Sequence, residues 1–131
     1  YPALAPNVDA DSNDVAGIRL PDVAVPLATV TGWNLRHPDT GGPGETHKTM
    51  GSTVPFAFTR QERQDASDPR PSVEERYASK DDYLDRVEGV ARDLVSEGYL
   101  LDEDVPRVGQ MAGERYDLLE PQVKQAQPAG D

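Results

Sequence analysis

The sequence lacks cysteine and holds few aromatic or large aliphatic side chains. The absence of Cys from all 131 residues excludes disulfides, thiolate zinc sites and cysteine nucleophiles. Leu, Ile, Val and Phe together number 26 residues, about 20 % of the chain, which is the lower limit for folded domains. Twelve Pro and eleven Gly interrupt regular structure. We therefore expect a small hydrophobic core and an incomplete domain, with apolar surface that a partner or further sequence covers.

Positive charge is also scarce. Thirteen Lys and Arg stand against 24 Asp and Glu, which gives a net charge of −11. Such a surface repels phosphate, and no basic stripe with interleaved aromatics is present, so nucleic-acid binding is not predicted. No apolar run approaches the ~20 residues of a membrane span. The chain opens without Met or a signal peptide, and we expect its natural start to lie upstream.

Composition divides the chain near residue 59. Residues 1–58 are rich in Pro, Gly and Val, which indicates strands and loops. Residues 59–120 carry nine Lys or Arg and seventeen Asp or Glu with helical periodicity. Residues 121–131 indicate a disordered tail. We therefore predict an α+β fold in which a β-hairpin and an extended Pro/Gly-rich segment precede an antiparallel pair of helices.

The predicted hairpin lies near the N-terminus. Its strands are Leu4–Val8 and Val15–Leu20, and the run "DADSND" (residues 9–14) between them is rich in turn-forming residues. A third extended run, residues 23–33, contains Pro26, which has no N–H to donate to a sheet. We expect this run at a sheet edge.

Each predicted helix of the second half begins at residues that favour helix N-termini. These residues are Thr59, Ser72, Ser79 and the run Asp102 to Asp104. Ser72 with Glu75 has the spacing of a capping box. The strongest pattern predicts a helix from Lys80 to Glu97 that ends at Gly98.

The apolar positions of the two longest predicted helices keep helical spacing. In the first they are Tyr83, Leu84, Val87, Ala91, Leu94 and Val95. In the second they are Val105, Val108, Met111, Ala112 and Leu119. We expect these two faces to pack against each other, with Tyr99, Leu100 and Leu101 at the corner.

Two polar stretches resemble ligand-binding loops but depart from them at decisive positions. The run "GPGETHKT" (residues 42–49) has His47 where a phosphate-binding loop needs Gly, and a Cβ there obstructs the turn around phosphate. The run at residues 9–14 leads to Asp14 and Leu20 where a calcium loop needs Gly and Glu. We predict a surface loop and a hairpin turn, with no cofactor and no metal site.

The sequence also lacks the pattern of a hydrolase active site. None of its six Ser lies in G-x-S-x-G, and Ser52 in "MGST" lacks the second Gly. His37 and His47 lie in an irregular segment where no helix face brings them together. We therefore predict no catalytic residue in this chain.

The stretch "DADSNDVAGIRLPDVAVPLATVTGWNLR" (residues 9–36) resembles the C-terminal region of a bacterial family of alpha/beta hydrolase domain-containing proteins. The resemblance resumes at "GSTVPFAFTRQER", "DPRPSVEERYASKDDYL" and "EGYLLDEDVPR", and it covers most of residues 1–120 in order. Ser12 departs from the pattern at a turn position where Gly is expected, and residues 37–49 match only loosely. The resemblance implies that the nucleophile elbow and the catalytic His precede this region.

The resemblance further implies a segment that packs against an esterase-like hydrolase core of the same protein and borders its pocket. We expect Trp33, Phe56 and Phe58 to be the anchors of this docking, since aromatic rings dominate interface energetics. For Trp33 the alternative is packing back onto the long helix near Tyr83 and Val87. For the chain as a whole the alternative is a stand-alone acidic module that binds another protein. Neither compartment nor substrate follows from the sequence.

Overall fold

Short strands precede longer helices in the computed structural model, which describes residues 6–37, 39, 42, 44–47 and 50–121. The helices are α1 (Pro21–Ala24), α2 (Arg60–Asp65), α3 (Val73–Arg76), α4 (Lys80–Ser96) and α5 (Val105–Leu119). The strands are β1 (Ala28–Thr31), β2 (Asn34–Leu35), β3 (Thr46–His47) and β4 (Ser52–Pro55). The predicted α+β class is confirmed.

The strands form two small antiparallel pairs. Strand β1 pairs with β4, from Ala28 opposite Pro55 to Thr31 opposite Ser52. Strand β2 pairs with β3. Two residues, Gly32 and Trp33, separate β1 from β2, whereas the four residues 48–51 separate β3 from β4. The two ladders are therefore out of register by two residues, and Trp33 lies at this break.

Pairing in the predicted N-terminal hairpin is confined to a single antiparallel bridge between Val8 and Asp14. The turn between them contains Ser12 at φ 63°, in the left-handed region that favours glycine. This agrees with the Gly expected at that position from the resemblance. Beyond the bridge the chain forms α1, a short helix that the sequence pattern did not predict. Leu4 and Ala5 of the predicted first strand lie outside the described residues.

The predicted helix starts and stops are confirmed. Thr59 and Glu62 form a capping box at α2, and Ser72 with Glu75 forms another at α3. The Ser79 hydroxyl accepts a hydrogen bond from the Asp82 N–H at the start of α4. Gly98, at φ 83°, follows the C-terminal end of α4, where a left-handed residue satisfies the last carbonyl groups. A 3-10 turn, Asp102–Asp104, leads into α5.

Helices α4 and α5 run antiparallel, as predicted. The Lys80 ammonium, at the start of α4, lies 2.6 Å from the Asp117 carboxylate, near the end of α5. The hydrophobic core joins this helix pair to the strand region. Its buried members are Val25, Leu27, Phe56, Val73, Tyr77, Tyr83, Val87, Ala112 and Tyr116.

The inward face of α5 differs in part from the prediction. Met111 is 46 % exposed, so its predicted inward orientation is wrong, and Tyr116 is buried instead. Both residues fit a helical period, but Tyr116 lies at the position that faces Tyr83, 5.5 Å away between ring centroids. None of the helices in the described residues is long and apolar enough to cross a membrane. Residues 122–131 of the predicted tail lie outside the described residues. The division of the chain near residue 59 stays a prediction.

Candidate docking surface

The three aromatic residues predicted as anchors lie in different environments. Phe56 is only 3 % exposed and belongs to the hydrophobic core of this chain. Phe58 is half-buried against the same core, with its ring edge-to-face to Tyr116 at a centroid distance of 5.6 Å. Trp33 is 46 % exposed. The docking role of the three stays a prediction, and burial leaves Trp33 as the ring most available to a partner.

Trp33 is positioned by backbone contacts at the break between the two ladders. The Thr31 hydroxyl donates to the Trp33 carbonyl at 2.6 Å. The Thr31 hydroxyl oxygen also lies 2.6 Å from the Ser52 hydroxyl on the opposite strand. The alternative position, against α4, would bring Trp33 to Tyr83 and Val87. Those two side chains are buried in the core cluster, and Trp33 is not a member of it.

Other apolar side chains are exposed along the same strands. Val30 and Val54 are 36 % and 48 % exposed, and Leu35 is 57 % exposed. We call the following set the docking surface: Val30, Trp33, Leu35 and Val54. Val30 lies opposite Thr53, so Val30 and Val54 are on opposite faces of the β1–β4 ribbon, and this set flanks the ribbon on both faces.

A tight polar turn supports β1 on the side away from β4. The Asp9 carboxylate accepts hydrogen bonds from the Asp11 and Asn13 N–H groups, which fixes the turn. The fully buried Asn13 side chain then donates to the Ala28 carbonyl at 3.1 Å and accepts from the Val30 N–H at 2.7 Å. Asn13 therefore satisfies the backbone groups of β1 that a third strand would otherwise pair.

Two arginines hold β4 and its continuation. The Arg70 guanidinium donates to the Val54 carbonyl at 3.0 Å and to the Pro55 carbonyl at 3.3 Å. The Arg76 guanidinium lies 4.1 Å from the centre of the Phe56 ring, and that of Arg70 lies 5.0 Å from it. Both arginines are mostly buried, and each is neutralised by a carboxylate as buried cations require.

Two carboxyl groups and two tyrosine hydroxyls around this network have shifted pKa values. Hydrogen bonding to Arg70 lowers the pKa of Asp68 to about 2. Hydrogen bonds from the Ser72 backbone and hydroxyl lower the pKa of Glu75 to about 2, with help from Arg63. Burial raises the pKa of Tyr83 to about 12. Burial also raises the pKa of Tyr77, and the Tyr77 hydroxyl donates a hydrogen bond to the Pro26 carbonyl at 2.8 Å. Around neutral pH the two carboxyl groups are therefore charged and the two tyrosine hydroxyls are neutral, as a structural network requires.

Two of the three carboxylates of the calcium-loop-like run, those of Asp9 and Asp11, are engaged within the chain. Asp9 forms an ion pair with Arg19 at 2.6 Å. Asp11 forms a two-pronged ion pair with Arg76, across 65 residues of sequence. In the described part of the chain no group of three or more acidic or His side chains could hold a metal ion. The structure describes residues 42 and 44–47 of the phosphate-loop-like run. Residues 42 and 44–46 are exposed, and Thr46–His47 form β3, whereas the His47 side chain lies outside the described part.

Four of the six serine hydroxyls have structural partners. Ser52 pairs with Thr31, and Ser72 donates to Glu75 at 2.8 Å. Ser79 caps α4, and Ser96 donates to the Asp93 carbonyl at 2.7 Å. The remaining two, Ser12 and Ser67, lie in turns with positive φ. His37 lies beside Asp39, with its Nδ1 3.4 Å from the carboxylate, at the surface.

Comparison with known proteins gives one match. The model of the family described as "Alpha/beta hydrolase domain" matches residues 3–110. This range contains the polar turn, both strand pairs, α1 to α4 and the first residues of α5. No curated protein and no solved structure matches the chain.

Proposed function

Because this chain belongs to the alpha/beta hydrolase domain family, we propose that it is the C-terminal segment of an esterase-like hydrolase. In this proposal the segment packs against the catalytic core of the same protein, borders its substrate pocket and does not itself catalyse. The observation that carries the proposal is the exposed Trp33 at the break between the two strand pairs, in a chain matched by a hydrolase family model.

The sequence supports a non-catalytic role. Hydrolases of this fold carry their nucleophile in G-x-S-x-G, on a sharp turn between a strand and a helix. This chain has no such motif, and β4, which contains Ser52, leads into Thr59 and α2 without a sharp turn at the serine. The Ser52 hydroxyl bonds to Thr31 across the ladder. The nucleophile, its base and the oxyanion hole must then belong to the core.

The exposure of Trp33 supports docking. An indole buries a large apolar area, and a half-exposed one beside Val30, Leu35 and Val54 leaves that area in water. The buried Phe56 and half-buried Phe58 take a supporting part, because they anchor the segment that follows β4 to the hydrophobic core. Docking through the Trp33 ring would place β2, which directly follows it, next to the core.

The experiment uses the fact that Trp33 is the only Trp of the chain. The chain is labelled with 5-fluorotryptophan and mixed with the polypeptide that carries the G-x-S-x-G motif, encoded upstream of it. We expect the single fluorine resonance to shift and to lose its sensitivity to a soluble paramagnetic relaxation agent. Trp33→Ala should weaken association, whereas Tyr99→Ala, at a 56 % exposed aromatic outside the docking surface, should not.

A second arm tests the absence of catalysis. The isolated chain should hydrolyse p-nitrophenyl acetate no faster than buffer does. Turnover that co-purifies with the chain and disappears in Ser52→Ala would overturn the proposal. A resonance that stays unchanged and is still broadened by the relaxation agent with the core present would overturn docking, and capture of an unrelated partner by Trp33 would favour the stand-alone module.

A further inference from the structure

The two edges of the β1–β4 sheet are not equivalent. Strand β1 presents the Ala28 carbonyl and the Val30 N–H away from β4, and the buried Asn13 amide binds both. The Thr29 hydroxyl adds a hydrogen bond to the Asp11 carbonyl at 2.5 Å. This edge is closed by the chain itself.

The outer edge of β4 is open at Thr53. In an antiparallel ladder, opposite residues alternate between pairs that exchange hydrogen bonds and pairs whose backbone groups point outward. Because the Val30 N–H points to Asn13, Val30 and the opposite Thr53 form an outward-pointing pair. The N–H and C=O of Thr53 therefore point away from β1. Thr53 is exposed, and no partner for these two groups is found in the described part of the chain.

The open edge ends at the next outward position. Pro55 has no N–H, and its carbonyl accepts from the Arg70 guanidinium. The edge thus offers one donor and one acceptor in register, bounded by a proline. Natural proteins prevent unwanted pairing at sheet edges with proline and charged residues. Here Pro55 protects its own position, and Thr53, two residues earlier, is left unprotected. The position left open is the one with exposed apolar side chains beside it, Val54 on one face and Val30 on the other.

We propose that the Thr53 edge of β4 receives an extended strand of the hydrolase core, which makes β1–β4 a continuation of the core sheet. This inference rests on the proposed function above. A two-stranded ribbon is marginally stable alone, and a third strand would pair the Thr53 groups and cover Val30 and Val54. The occupant is an extended backbone with apolar side chains on both of its faces. A second copy of this chain is disfavoured, because each copy carries a net charge of −11.

The test follows the Thr53 amide directly. Amide hydrogen exchange is measured by NMR on the labelled chain, alone and with the upstream polypeptide that carries the nucleophile motif. In the free chain the Val30 amide, bonded to Asn13, should exchange slowly and the Thr53 amide fast. With the core, exchange at Thr53 should slow by about tenfold or more, as expected for a new backbone hydrogen bond.

Matched variants separate the backbone from the side chain. Thr53→Pro removes the outward N–H, which takes no part in the ladder with β1, and should weaken binding about tenfold. Thr53→Val keeps the backbone groups and should bind within about threefold of the natural chain. The thermal melt of the free Thr53→Pro chain checks that it folds, and a variant that does not fold is replaced by N-methylation of the Thr53 amide in a semisynthetic chain.

Each outcome decides between the two proposals. If the core binds and the Thr53 amide stays fast, the edge proposal is wrong while the proposed function stands. If the core does not bind at all, the proposed function is wrong, and the edge proposal, which rests on it, is wrong as well. Protection of Thr53 that grows with the concentration of the free chain would show that a second copy occupies the edge, and this too would overturn the proposal.

Discussion

The guanidinium of Arg76 lies 4.1 Å from the centre of the Phe56 ring, and its carboxylate partner is Asp11. This stacking links the end of α3 to the residue that directly follows β4 and to the N-terminal turn. An aromatic ring between a cation and the apolar core gains from burial and from attraction of the ring face to the charge. Phe56 is therefore a structural residue in this chain, whatever Trp33 contacts.

The three predicted anchors should differ in how much the free energy of unfolding changes when each is truncated to Ala. Phe56→Ala should lower the free energy of unfolding by about 3–5 kcal/mol, because it removes a fully buried ring. Trp33→Ala should change it by less than about 0.5–1 kcal/mol, since this ring is half exposed. Phe58→Ala should fall between them. Urea unfolding of the three isolated variants measures this order, and a large loss for Trp33→Ala would show that the indole packs on its own chain.

The buried amide of Asn13 should be equally important for stability. Asn13→Ala leaves the Val30 N–H and the Ala28 carbonyl without their partner, and we expect a loss of about 2–3 kcal/mol in the free energy of unfolding. Asn7→Ala, an exposed asparagine of the same segment, is the control and should stay within about 0.5 kcal/mol. Equal stability of the two variants would mean that water replaces the Asn13 amide at the edge of β1.

Local signals explain why the helical half was predicted well. Thr59, Ser72 and Ser79 act on N–H groups three residues away, and Gly98 acts at its own helix end, so the sequence around each cap contains the whole interaction. The antiparallel arrangement of α4 and α5 follows from two amphipathic patterns joined by a short corner. For these elements spacing alone suffices.

The strand half depends on contacts that sequence spacing does not reveal. Arg70 reaches Thr29 across 41 residues, and Arg76 reaches Asp11 across 65. Asn13 reads as one more turn residue in "DADSND", although its amide closes a strand edge. Phe56 and Trp33 both lie in Pro/Gly-rich surroundings, so pattern alone cannot tell which ring is buried. The Phe56 ring acquires the distant Arg70 and Arg76 guanidinium groups as partners, whereas in the described part of the chain no such cation lies over the Trp33 ring.

A pair of identical substitutions tests the register of the β1–β4 ladder. A Cβ at Gly51 would lie 2.4 Å from the Thr31 carbonyl oxygen, a backbone atom that cannot move without disturbing the ladder. Gly51→Ala should therefore lower the free energy of unfolding by about 1–3 kcal/mol. Gly89→Ala, in the interior of α4 with open space around the new methyl, should raise it by about 0.5–1 kcal/mol. A gain in stability for both would show that the chain around Gly51 adapts freely.

The last prediction concerns acid. The pKa values of Asp68 and Glu75 are lowered to about 2, from ordinary values of 3.8 and 4.5. A carboxyl whose pKa is lowered by folding stabilises the fold above its unfolded pKa, and this contribution is lost as the pH falls towards the folded pKa. The urea midpoint should therefore be constant from pH 7 to about 5 and fall between about 4 and 2.

The acid-dependent loss should trace to the Arg70 partner in a matched pair of variants. Asp68→Asn removes the charge that faces Arg70, and it should cost about 1–2 kcal/mol at pH 7 and flatten the decline between about pH 4 and 2. Asp85→Asn, at an exposed position of α4, should leave the shape of the decline unchanged. If both variants lose stability with acid as steeply as the natural chain, the Asp68–Arg70 pair contributes nothing to acid stability, and the source lies in the other carboxyls whose pKa folding lowers, which are Glu75, Asp9 and Asp82.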